Sequence, residues 1–188
     1  MLISPSAHGM CCMLKLCDEY ARDFNVVFNA SKSKCTVNRP RGFALGYCVG
    51  DVHFSVRGHD REIVDNCPHL GHIISNDGNA KLDIAHRCCQ FIGQFNHVLC
   101  WFGKLDSSSK TKLLKSYCSD FYGCELWDLA NWEIQSLSIS WRHALRRIWK
   151  LPYNCHTAIL HILSGWLPMV DVLCKRVYNF IHAYRVRQ

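Results

Sequence analysis

The stretch AKLDIAHRCCQFIGQFNHVLCWFG, residues 80–103, decides the architecture. Ile84, Cys88, Phe91, Ile92, Phe95, Val98, Leu99 and Phe102 recur along it at intervals of three and four, which lays one apolar stripe along an α-helix. Gly103 predicts its end. The same period continues downstream. Ser107 to Ser109 are placed to cap a second helix carrying Leu113, Leu114, Tyr117, Cys118 and Phe121. A third is predicted from Glu133 to Lys150, burying Ile134, Leu137, Trp141, Leu145 and Ile148, with Pro152 as its stop. A short helix near Thr157–Leu163 and a last one after Pro168, carrying Val172, Leu173, Val177, Phe180 and Ile181, complete the series.

Upstream the texture differs. Pro5 and Ser6 open a helix to about Phe24, with Met10, Met13, Leu14 and Cys17 on the period and Tyr20 or Ala21 continuing it. Between Asn25 and Ser75, short β-rich pieces are expected at Val26–Phe28, Val52–Val56, Glu62–Val64 and Leu70–Ile74. Pro40, Gly42, Gly46, Gly50, Gly58 and Pro68 break them. The fold class is therefore α+β: one helix and a few antiparallel strands over residues 1–78, then a mostly helical region over 79–188.

With 49% apolar and 20% charged residues, the 188-residue chain can bury a core and is unlike a disordered tail. Its net charge of +7 favours a polyanionic partner. Thirteen cysteines would suggest a disulfide framework, yet the opening residues 1–14 lack the charged and continuous apolar regions of a signal peptide. Cys11, Cys12, Cys88, Cys89, Cys100 and Cys118 fall among helical apolar positions and read as free thiols in a core. No run approaches the ~20 apolar residues that span a bilayer. An intracellular location, cytoplasmic or nuclear, and no membrane association are expected.

Of the groups that carry chemistry, the cations are the most ordered. Arg142, Arg146 and Lys150 stand at i, i+4 and i+8 with His143 and Arg147 beside them, a positive stripe opposite an apolar one. Lys112 and Lys115 share a face of the preceding helix, flanked by Lys104 and Lys110. Two adjacent helices so decorated offer a surface that tracks phosphates, and an ordinary solvated face explains the same residues. Cys67, His69 and His72 have no standard zinc spacing, and no CxxC pair exists, so no metal is expected. Asp18 with Glu19, Asp60 with Glu62, and Asp77 with Asp83 read as cap and surface residues. The sequence has neither a Gly-rich phosphate loop nor a nucleophile elbow.

Four segments, taken in order, resemble reverse transcriptases of non-LTR, LINE-like retrotransposons. Ser4-Pro5-Ser6 followed by Cys17-Asp18-Glu19-Tyr20-Ala21 resembles the palm helix behind the catalytic aspartates, and Phe28-Asn29-Ala30-Ser31-Lys32-Ser33-Lys34 resembles motif D. His69-Leu70-Gly71-His72-Ile73-Ile74 is similar to the primer grip, motif E. Tyr122-Gly123-Cys124-Glu125-Leu126-Trp127 and the segment from Trp141 to Trp149 are similar to the helical thumb and its extension. The resemblance implies that Lys32, with Asn29, stands where a lysine protonates the pyrophosphate leaving group. It implies that His69, Leu70 and Gly71 hold a primer end. It also gives Lys112, Lys115, Arg142, Arg146 and Lys150 a primer–template as their target.

Polymerisation needs carboxylates from an earlier palm strand and an Asp-Asp turn to hold two divalent metals about 4 Å apart. These 188 residues are expected to begin after that turn, as a truncated fragment that is no enzyme alone and needs no cofactor. A complete enzyme of the family would use Mg2+. The expected partners are an RNA/DNA primer–template and the missing palm and fingers. The alternatives are a helical protein-interaction module and a nonfunctional transposon relic.

Overall fold

Helix α1, Ala7–Asp23, starts where Ser6 accepts a hydrogen bond from the Gly9 amide at 3.1 Å. That bond satisfies one of the donors every helix start leaves open. The computed structural model describes residues 1–29, 32–38, 53–56, 58–130 and 132–186. They form a mixed α+β chain that divides into two compact units, Met1–His69 with Ile73–Asn79, and Leu70–His72 with Ala80–Gln188.

In the first unit α1 packs on the strand that begins after Phe54, with Ala21, Phe54 and Val56 buried. Among the described residues six strands make three separate pairs. They are β1 (Lys34–Cys35), β2 (Ser55–Val56), β3 (His59–Asp60), β4 (Glu62–Ile63), β5 (Asn66–His69) and β6 (His72–Ser75). β2 and β3 are antiparallel, with Ser55 opposite Asp60. β1 and β4 are parallel, Lys34 opposite Glu62 and Cys35 opposite Ile63, which corrects the expectation of antiparallel strands throughout. The connection between β1 and β4 is long enough for the crossover a parallel pair requires. Lys34 and Glu62, opposite in register, form an ion pair. Val26–Phe28, expected as a strand, enters none of these pairs. Of the expected strand Val52–Val56, only Ser55–Val56 is a strand, and residue 52 lies outside the described residues, as do Pro40, Gly42, Gly46 and Gly50.

The second unit is helical: α2 (Lys81–Trp101), α3 (Ser107–Leu113), α4 (Glu133–Trp149), α5 (Thr157–Ser164) and α6 (Met169–Val186). α2 lies along α4, and their facing stripes supply Ile84, Phe91, Phe95 and Val98 on one side and Ile134, Leu137, Trp141, Leu145 and Ile148 on the other. Each such side chain removed from water contributes about 1.5–3 kcal/mol. Ile92 and Phe102, on the expected apolar face of α2, are 41% and 46% exposed, because its inward stripe is narrower than the spacing predicts. Asp106, one residue before the expected serines, caps α3 by accepting from the Ser109 amide at 2.9 Å. A hydrogen bond from the Ser109 side chain, together with that amide bond, holds the Asp106 carboxyl below its ordinary range.

α3 runs into a π-turn, Leu114–Cys118, which opens the helix locally. α4 ends at Lys150, which is left-handed at φ +53°, two residues before Pro152. The stop is set by that residue, since proline also bars its predecessor Leu151 from helical geometry. Leu160 of α5 and Met169 and Leu173 of α6 close the core. Among the described residues no single helix is long and apolar enough to cross a membrane, although the bent pair α5 and α6 together reach that composition.

Candidate nucleic-acid interface

Each cation of the expected surface has a defined setting. On α4, the apolar positions Ile134, Leu137, Trp141, Leu145 and Ile148 face the core, and the 100° step per residue carries Arg142, Arg146 and Lys150 to the far side. Arg142 is half-buried, and His143 and Lys150 are exposed. Arg146 donates to the Cys155 carbonyl at 3.0 Å and lies 5.7 Å from the Tyr153 ring, so part of its guanidinium is committed to fixing the loop after α4. Arg147 turns to α2, donating to Asn96 at 2.8 Å and covering Phe95 at 5.1 Å.

On the α3 side Lys112 is exposed, while Lys115 has a structural role. Its ammonium donates to the carbonyls of Ser164 and Gly165 at 2.9 and 3.2 Å, and stands 5.5 Å from the Trp166 ring. Those carbonyls end α5, where a cation meets the negative pole of the helix. Lys110, midway along α3, is buried. Arg142, Lys150 and Lys112 thus keep charge toward solvent, and Lys115 and Arg146 divide theirs with backbone carbonyls.

In the first unit, Asn29 accepts from the Lys32 amide at 3.1 Å and Ser33 donates to the Asn29 carbonyl at 2.8 Å, a side-chain-closed turn that leaves Lys32 exposed. Ala30 and Ser31 of the same motif lie outside the described residues. Cys67 contacts Thr36 at 3.4 Å, and no group of three or more metal-ligating side chains occurs among the described residues.

The primer-grip candidate is a hairpin tip. His69 ends β5, and Leu70 and Gly71 form the two-residue connection to β6, with φ of +48° and +83°. Two positive φ values in a two-residue loop define the type I′ turn, whose twist matches that of the flanking strands. Leu70 is therefore turn and not strand, and its side chain is 76% exposed.

Just past the tip stands a cluster with no signature in the sequence. His72 Nδ1 lies 3.1 Å from Asp83 Oδ2, and the same oxygen accepts from Trp127 Nε1 at 2.8 Å. The imidazole rests on Tyr122 with centroids 5.1 Å apart and on Gly123, where a Cβ would stand 1.6 Å from His72 Cε1. Arg87 donates to the Gly71 carbonyl at 2.6 Å and to Gln90 at 3.0 Å, and its guanidinium lies 5.7 Å from the Tyr122 ring. The paired His72 and Asp83 have the form of an oriented base, but Gly123 blocks the far side of the ring. The arrangement orients a loop. Asp83, expected at the surface, is 3% exposed, a correction whose cause is geometric. Asp83 and Arg87 are four residues apart on the border of the apolar stripe of α2, so both reach the same side of the hairpin tip.

No protein-family model, no curated protein and no solved structure matches the chain.

Proposed function

We propose that these residues form a palm-and-thumb segment of a non-LTR retrotransposon reverse transcriptase that holds an RNA/DNA primer–template and does not itself polymerise. One observation carries the reading. His72 belongs to the segment that resembles the primer grip, and Tyr122, Gly123 and Trp127 belong to the segment that resembles the thumb. Though α2 and α3 separate them in sequence, they meet in one cluster around Asp83. Two segments that the same resemblance picks out at distant places in the sequence gain a shared physical role when their residues depend on each other.

Binding in this reading is electrostatic and runs through Lys112, Arg142 and Lys150, with Arg146 and Lys115 contributing what their carbonyl partners leave. Lys32 and Asn29 keep their motif D role only beside a catalytic centre supplied by other palm residues, so this segment binds and positions. The test is fluorescence anisotropy of the full chain with a labelled RNA/DNA primer–template. Affinity is expected to fall roughly 10- to 100-fold between about 50 and 200 mM salt, as counterion release at about three phosphates requires. The double variant Arg142→Gln with Lys150→Asn is expected to weaken binding and flatten that slope, and asparagine at 150 accepts the left-handed conformation there. Salt-independent binding, or a variant that binds like the parent, sinks the proposal.

A further inference from the structure

We infer that Asp83 and Arg87 are positioning residues for the Leu70–Gly71 tip, holding it in the one orientation in which it meets the end of a nucleic-acid strand. The inference rests on the primer–template reading above and adds to it the groups that make the tip selective.

Leu70 is the anomaly that motivates it. A leucine in the left-handed region is strained, because its Cβ crowds the following carbonyl, and an apolar side chain 76% exposed gains nothing from burial. Asparagine would suit a type I′ turn better at this position. Strain kept where folding does not need it points to a contact made with something else.

A flexible two-residue tip would present Leu70 in many orientations, and here it is tied at the two residues after it. Arg87 reaches the Gly71 carbonyl at 2.6 Å, and Asp83 holds His72 at 3.1 Å while Trp127 fixes the carboxylate at 2.8 Å. Tyr122 lies under both ties, 5.7 Å from the Arg87 guanidinium and with its centroid 5.1 Å from that of His72. The absence of a side chain at Gly123 leaves the imidazole room to occupy this position. Asp83 is buried and Arg87 is half-buried, so their effect passes through the turn.

Affinity for duplex as such should come from the cations of α3 and α4, and preference for a strand end should come from the held tip. The full chain is titrated against two labelled hybrids of equal length, one with a recessed 3′ end and one blunt. The parent is expected to favour the recessed end. Arg87→Met keeps the apolar stem on Tyr122 and deletes the bond to Gly71, and it should cut that preference about three- to tenfold while blunt-end affinity changes little. Arg87→Lys, which restores a donor, should recover part of it. Asp83→Asn, which keeps an acceptor for His72 and Trp127, should behave like the parent, and Asp83→Ala like Arg87→Met.

Because Asp83→Ala strips the buried Trp127 indole and the His72 ring of their partner, its melting is recorded alongside and Arg87→Met decides. Equal weakening of both hybrids by Arg87→Met would reduce Arg87 to one more surface charge and overturn the inference. So would a parent that binds both hybrids in a salt-sensitive way without preference, an outcome that leaves the primer–template reading standing. A parent that binds neither removes both.

Discussion

Gly123 has two reasons to be glycine, and they separate experimentally. Its φ of +79° lies in the left-handed region, and a Cβ there would overlap the His72 ring at 1.6 Å. Gly58 has the first reason alone, at φ +72° with nothing within 4 Å. Gly58→Ala is therefore expected to cost about 1 kcal/mol, the left-handed penalty of a side chain. Gly123→Ala must also expel His72 from Asp83 and is expected to cost about 3–4 kcal/mol. In a chain of this length each kcal/mol lowers Tm by about 2–4 °C, so thermal melts of the two variants should differ by several degrees. Equal melting temperatures would show that the imidazole is not seated on Gly123.

The hairpin β5–β6 is the element whose design departs most from what folding alone would select. Replacing Leu70 with asparagine should relieve strain in the type I′ turn and withdraw an exposed apolar side chain, stabilising the chain by about 0.5–1 kcal/mol in denaturant unfolding. Loss of stability would mean that the leucine has a folding role. The helices were the legible elements: α1, α2, α4, α5 and α6 each lie within a residue or two of where the period of three and four and the Ser6, Gly103 and Pro168 signals put them. The strands were less so. Pieces of two residues carry no usable alternation, and a parallel partner such as β4 for β1 leaves no local mark. The tie at Asp83 was hidden for a related reason. An aspartate in the first turn of a helix reads as a dipole cap, and only the fold shows Trp127 and His72 arriving at the same oxygen. The stripe on α4 could be read, but the carbonyls that take up Lys115 and Arg146 could not, since the first lies at the end of α5, far along the chain, and the second in the irregular loop after α4.

Over the whole molecule, the thiols divide by burial. The twelve described cysteines are all free. Of those expected in a core, Cys118 is buried and Cys11 and Cys88 are half-buried, but Cys12, Cys89 and Cys100 are exposed, so neighbouring cysteines on α1 and α2 point to opposite environments. Cys124 joins Cys118 in the core of the second unit, and burial pushes both thiols from 9.0 up to about 11. For Cys124 the nearby Arg176 guanidinium works against that rise without cancelling it. A thiol raised in the folded state stabilises the fold fully below its unfolded value of 9.0, and that contribution disappears as pH climbs through about 11. Denaturation midpoints measured across that window should therefore fall with pH. Lysines and tyrosines titrate in the same range, so the decisive comparison is with the Cys118→Ala, Cys124→Ala double variant. Its midpoint starts lower because two small cavities replace the sulfur atoms, and its decline with pH should be shallower than the parent's. In parallel, a water-soluble thiol reagent at neutral pH should modify Cys12, Cys89 and Cys174 in the native protein and reach Cys118 and Cys124 only on unfolding. Identical pH slopes in parent and variant, together with native-state labelling of Cys118, would place these two sulfur atoms outside the core that α2, α4 and the π-turn enclose.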